Sequence, residues 1–299
     1  MIKAEKATKN FGNFCALKDL SCQIPKGCIY GLIGSNGAGK STFLRLITGV
    51  YKADSGSVTL EGDNIYENPK AKSRIAYVPD ELFFLSGASM NRMAKMYESI
   101  YPNFDRKRYA ELASVFRLNP KANINTFSKG MKRQAATLLA LACRPEYIFF
   151  DETFDGLDPV MRNLVKNLIT SDVMERKATA IITSHSLREL EDTCDQLALL
   201  HKGGIIFESD IQNLKTSLFK IQIAFAQEYD KSMFEGLEML SFMKKGSVAS
   251  FIVRGDREKT AAFLREKQPI LLDVLPLTLE EVFVHEMEAL GYSFKDVLA

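Results

Sequence analysis

Residues Gly34, Ser35, Asn36, Gly37, Ala38, Gly39, Lys40 and Ser41 run consecutively. They fit G-x-x-x-x-G-K-[ST], the spacing of a phosphate-binding P-loop. Glycines at 34, 37 and 39 let the backbone bend so that successive amides face phosphate oxygens, helped by the positive end of a following helix. Lys40 is placed to reach the β- and γ-phosphates of a nucleotide, and the Ser41 hydroxyl to hold Mg²⁺. A second chemical pair stands at Asp151 and Glu152, after the apolar run Tyr147-Ile148-Phe149-Phe150. Phosphoryl transfer on a P-loop needs an acid to fix the metal and often another group to activate water. Asp151 suits the first role and Glu152 the second, since strand alternation points neighbouring side chains apart. Two acids at a strand end are also common as a solvated turn; a P-loop upstream weighs against that reading.

These groups need elements to hold them. Residues 28–33 form the apolar run of a buried strand, and Thr42 to Ile47 has helical spacing, with Gly49 placed to end the helix. Residues 1–33 alternate like antiparallel strands, with turn signals at Phe11-Gly12-Asn13 and Pro25-Lys26-Gly27. Residues 57–63 read as a strand and turn, and 75–78 as a short strand stopped by Pro79. From 82 to 142 the pattern is helical, including a stripe of Met90, Met93, Met96 and Tyr97, expected to pack in the core. Strands at 147–150, 178–183 and 196–200 then alternate with helices after Pro159 and from Leu187. That succession predicts an α/β fold with a mainly parallel sheet. An antiparallel β subdomain precedes it and a helical arm is inserted within it.

A small C-terminal α+β domain is expected over 211–299, leaving 1–210 as the nucleotide-binding domain. Its strands are read at 219–225 and 248–253, with a helix over 256–267. Thr278 and Glu281 form a capping box, and Leu279, Val282, Phe283 and Leu290 are assigned one face of the last helix. This part carries no readable chemistry; packing or dimerisation is its default role, and regulation the alternative.

The 299 residues carry a net charge of +2, with 46% hydrophobic and 25% charged residues. No basic field argues for nucleic acid. The five cysteines (15, 22, 28, 143 and 194) form no C-x-x-C pair and read as buried reduced thiols of a cytosolic protein. The first residues lack the apolar core of a signal peptide. No stretch approaches the ~18 apolar residues of a membrane span. Any work at a membrane therefore requires another chain to cross it.

The order of the motifs resembles the ATP-binding subunit of an ABC transporter over about residues 1–210. Phe127-Ser128-Lys129-Gly130-Met131 is similar to that family's signature motif, followed by a helix from Lys132. Gly156-Leu157-Asp158-Pro159 resembles the D-loop, and Ser184-His185 the switch histidine. Phe11 stands where the family stacks an aromatic on adenine. The resemblance implies ATP and Mg²⁺ as cofactors and a second nucleotide-binding subunit as partner. It also implies an integral membrane permease, no nucleic acid, and a place at the cytoplasmic face of the membrane. Head-to-tail pairing would bring Ser128 and the Gly130 amide onto the partner's γ-phosphate, while His185 contacts the phosphate of its own subunit. Asp158 joins the implied nucleotide-binding set.

Three positions depart from the family pattern. Asp80 replaces the usual glutamine of the Q-loop and is expected to touch Mg²⁺ or water. Thr153 stands at a common proline position. Phe127, Lys129 and Met131 vary the signature while its serine and central glycine remain. The variants resemble single-domain subunits of exporter-type systems, and Phe83-Phe84-Leu85 could meet a permease or pack inside. A regulatory ATP-binding subunit without turnover is opposed by Glu152 and His185. A soluble ABC protein of repair or translation needs a long coiled coil or two fused ATPase domains, and the chain has neither.

Overall fold

A computed structural model of the chain describes residues 1–292. It divides into two units, Met1–Glu208 and a second beginning at Ser209. In the first unit, β1 (Ile2–Phe11) and β2 (Phe14–Ile24) form a hairpin turned by Gly12, whose φ of 59° lies in the left-handed region. Strand β3 (Ile29–Ile33) enters the P-loop, and α1 (Lys40–Ile47) leaves it. Strands β4 (Ser55–Leu60) and β5 (Asp63–Asn64) precede a short helix α2 (Pro69–Lys72) and β6 (Ile75–Val78). The arm consists of α3 (Met90–Ile100), α4 (Arg106–Val115) and α5 (Lys129–Ala142). The chain returns through β7 (Tyr147–Asp151), α6 (Pro159–Arg176), β8 (Thr179–Ser184), α7 (Leu187–Glu191), β9 (Gln196–His201) and β10 (Gly204–Asp210).

Two sheets follow from these strands. One is ordered β2-β1-β4-β5, with every pair antiparallel. The other is ordered β10-β9-β3-β8-β7-β6. Four of its five pairs, β9 with β3, β3 with β8, β8 with β7 and β7 with β6, are parallel. β3, β7 and β8 are buried at every residue, so they read as continuous apolar runs rather than alternations. Tyr30, Leu32, Phe43, Leu44, Ile47, Phe149 and Ile181 fill one core between strands and helix α1. The arm's helices start on side-chain caps: Ser89 accepts the Arg92 amide, Asp105 that of Arg108, and Ser128 that of Met131. Met90 and Met93 are buried as the stripe predicted, and Met96 and Tyr97 are half-buried.

At the edge of this unit Arg74 donates to Glu146 (Nε to Oε1, 2.8 Å) and to Glu61 (2.5 Å), while Lys26 and the Tyr147 hydroxyl also reach Glu61. Arg74 first, then Lys26, hold the Glu61 carboxyl down to about 2. A depressed folded-state value means the unfolded chain binds more protons, so stability rises with pH through the window. That contribution is complete above about pH 4.5 and disappears as the pH falls toward about 2. Glu61→Gln is expected to flatten the acid limb of the thermal midpoint over this range. A limb identical to the parent's would take Glu61 out of the acid response.

The second unit contains α8 (Ile211–Ser217), β11 (Leu218–Ala224), β12 (Glu238–Lys245), β13 (Val248–Arg254), α9 (Arg257–Arg265), β14 (Leu271–Pro276) and α10 (Leu279–Ala289). Its sheet is antiparallel, ordered β12-β13-β11-β14, around Phe219, Ile221, Phe234, Phe251, Val253 and Leu264.

Several expectations change. β12 and β14 have no counterpart in the sequence reading, because their exposed faces break the apolar alternation. Helix α5 begins at Lys129, with Ser128 as its cap. Leu290 is half-exposed at the C-cap of α10, and Met287 takes the buried place assigned to it. Cys15 is exposed, whereas the other four cysteines are buried. Burial pushes the Cys28 thiol up to about 11 and the Cys22 thiol to about 12.

Candidate functional site

Parallel register gathers the site at one edge of the sheet. Asp151 on β7 lies beside Thr183 on β8, and Leu32 and Ile33 on β3 lie beside Thr183 and Ser184. The P-loop therefore opens at the C-terminal strand ends, where open α/β sheets bind ligands. Its glycines serve different needs. A Cβ on Gly34 would sit 2.4 Å from the Leu200 carbonyl oxygen, so that position demands glycine for space. Gly39 has a φ of 110° as the N-cap of α1, so it demands glycine for backbone conformation as well. Between them Asn36 and Gly37 are exposed, the Ala38 amide donates to the Ser35 carbonyl, and Thr42 sits half-buried in the first turn of α1.

The Asp151 carboxylate is fully buried and accepts three hydroxyls. Ser41 Oγ (3.1 Å) and Thr183 Oγ1 (2.9 Å) donate to Oδ1, and the Tyr77 hydroxyl (3.0 Å) donates to Oδ2. Burial, then the charge of Asp151, pushes the Tyr77 phenol well up, so it stays a donor. A hydroxyl and a carboxylate bonded to each other form the hard oxygen set that suits Mg²⁺. Ser41 and Asp151 are the residues fitted to hold that ion. Tyr77 and Thr183 escaped the sequence reading. Only the sheet order brings Tyr77 and Thr183 to Asp151.

Glu152 leaves β7 in a left-handed conformation, φ 48°, with its amide donating to Thr183 Oγ1 at 3.0 Å. This turn, rather than strand alternation, separates its side chain from that of Asp151. Glu152 Oε1 pairs with Lys40 Nζ at 3.1 Å, and Oε2 lies 3.1 Å from His185 Nδ1. Lys40 also donates to the carbonyls of Gly34 (2.6 Å) and Ser35 (3.2 Å). Lys40 is 6% exposed and Glu152 12%, against 50% for His185. Asp155 completes a group with Glu152 and His185 whose ligand-type atoms lie within 4.8 Å of one another. The structure thus joins P-loop lysine, acid and histidine in one array.

The remaining candidates sit elsewhere. Phe11, 44% exposed at the end of β1, is propped by Tyr51 edge-on with centroids 5.4 Å apart. Ser128 is exposed as the N-cap of α5, with Gly130 in the first turn. A Cβ on Gly130 would come within 3.0 Å of the Gly156 carbonyl oxygen, so the first turn of α5 lies against the loop that follows Glu152. Asp158 caps α6, its Oδ1 accepting the amides of Val160 and Met161 at 3.0 Å each. Asp80 is engaged elsewhere in this structure. Its carboxylate accepts Arg133 Nη2 at 2.8 Å, and among the described residues no hydrogen bond or ion pair links it to Ser41 or Asp151. The buried guanidinium competes for the acid that the sequence reading assigned to Mg²⁺. Thr153, at the position where proline is common, is buried, and among the described residues its hydroxyl makes no hydrogen bond.

The ABC transporter family model matches residues 17–155. The chain is 34% identical over 285 residues to the ABC transporter ATP-binding protein YtrB of Bacillus subtilis (strain 168), covering 95% of this chain and 97% of that protein. The chain belongs to the ATP-binding subunits of ABC transporters. An alignment of that length extends beyond the first unit of this ABC subunit. It is also 37% identical over 213 residues to the linearmycin resistance ATP-binding protein LnrL of Bacillus subtilis (strain 168), covering 69% of this chain and 68% of that one. In fold, it matches a dimeric ATP-binding cassette solved with ADP and Pi in a post-hydrolysis state. The TM-score is 0.65 at 21% identity, covering 71% of this chain and 99% of that structure. Among the described residues of this ABC subunit, no helix is long and apolar enough to cross a membrane.

Proposed function

We propose that this ABC subunit binds and hydrolyses MgATP in a head-to-tail pair and drives a separate integral membrane permease, in the export direction. The observation that carries the reading is the joined array of Lys40, Glu152 and His185 beside the Ser41–Asp151 pair. Lys40, already surrounded by oxygen acceptors, exchanges them for β- and γ-phosphate oxygens. Ser41 and Asp151 would hold Mg²⁺, which would neutralise developing phosphate charge. Glu152 accepts a proton from the attacking water, and His185 holds it in place through Nδ1. Phe11 provides the adenine platform.

Ser128, exposed at a helix N-terminus, and the Gly130 amide in the first turn cap the γ-phosphate held by the partner subunit. Exposed Phe83 on the loop before α3 offers an apolar contact to the permease at the cytoplasmic face of the membrane. The resistance function in the name of LnrL supports the export direction.

Sharing of sites is tested by mixing two inactive variants, Lys40→Ala and Ser128→Ala. In a mixed head-to-tail dimer, one site joins an intact P-loop to an intact signature loop. Phosphate release should therefore recover on mixing. No recovery would mean that each subunit completes its own site.

A further inference from the structure

Arg133 lies on α5, its side chain 1% exposed, where an uncompensated charge is strongly unfavourable. Asp80, just beyond β6, supplies two acceptors to it: Oδ1 to Nη2 at 2.8 Å and the backbone carbonyl to Nη1 at 3.4 Å. Among the described residues the buried Arg133 Nε finds no hydrogen-bond partner, so the charge of this guanidinium is answered through its Nη atoms. Arg133 stands five residues after Ser128, about 7.5 Å along one rigid helix. On its other side, a Cβ on Gly130 would lie 3.0 Å from the Gly156 carbonyl oxygen, so glycine lets the first turn of α5 lie close to the loop after Glu152. α5 is thus tied to the β6 end by Asp80, while its first turn lies beside the loop after Glu152.

We propose that Asp80 is a positioning residue that acts through Arg133 to set the N-terminus of α5, and with it Ser128 and the Gly130 amide, against the partner's phosphate. This rests on the shared-site reading above. It replaces a metal role for Asp80 with a mechanical one, a carboxylate tying the sheet edge to the arm. Asp80→Asn keeps the size and an acceptor for Arg133 while removing the charge, so the subunit should still fold.

The experiment compares Asp80→Asn, Ser128→Ala and the double variant in the full chain. Turnover of Asp80→Asn should fall about tenfold, the scale of one weakened charge-assisted hydrogen bond. MgATP affinity of the single subunit by calorimetry and the midpoint of the Mg²⁺ titration should stay at parental values. The double variant should turn over no more slowly than Ser128→Ala alone, because both losses act through one loop. A shifted Mg²⁺ midpoint would restore Asp80 to the metal and overturn the proposal. Multiplied losses in the double variant would overturn it too, as would parental turnover of Asp80→Asn beside an impaired Ser128→Ala. Parental turnover of Ser128→Ala would instead remove the shared site itself, and this proposal with it.

Discussion

Glu152→Gln is expected to slow ATP turnover by about 10² to 10⁴, the usual loss when a general base is removed. The amide keeps the size of the side chain, and its oxygen can still accept from Lys40, which lies 3.1 Å from Glu152 Oε1. Its nitrogen, facing His185 Nδ1, becomes a donor, so the imidazole must switch from donor to acceptor there. Neither group can then take a proton from water as a carboxylate does. Binding should survive, because Lys40, Ser41 and Asp151 remain. A subunit that binds ATP without splitting it should accumulate as the closed pair, eluting from size-exclusion chromatography as a dimer with ATP and a monomer without. The dimer should require Ser128. Near-parental turnover would remove Glu152 from the mechanism, whereas slow turnover with a monomer would question only stable pairing in the absence of the permease.

Lys40→Ala should weaken MgATP binding by ~10²-fold or more, since each charge-assisted hydrogen bond to phosphate contributes about 1.5–3 kcal/mol. The structure adds a second consequence. Glu152, 12% exposed, loses its cationic neighbour, and the Gly34 and Ser35 carbonyls lose their donor. The thermal midpoint should therefore drop even in the absence of nucleotide, while the fold persists. Calorimetry with MgATP and a thermal melt of the apo subunit separate the two effects. Parental affinity would overturn the P-loop assignment; a parental apo midpoint would show that the Lys40–Glu152 pair adds no net stability.

What was legible in the chain was local. The P-loop needs three glycines, a lysine and a serine at fixed offsets between a strand and a helix, and all of these lie within twenty residues of one another. Helix starts were readable for the same reason, since Thr278 and Glu281 reach each other's backbone within one turn. Asp151 and Glu152 could be placed at a strand end because a buried parallel strand appears as an apolar run. What surrounds them could not. Thr183 meets Asp151 only because β8 lies between β7 and β3, and Tyr77 only because β6 flanks β7, an order that no local pattern encodes. Whether Glu152 followed the strand or turned away depended on a left-handed backbone stabilised by the Thr183 hydroxyl. Asp80 shows the limit most clearly. Its place at the family's Q-loop position suggested the metal or water, but in the structure its carboxylate accepts from a buried guanidinium. That guanidinium is Arg133, 53 residues later in sequence and made adjacent by the packing of α5 against β6.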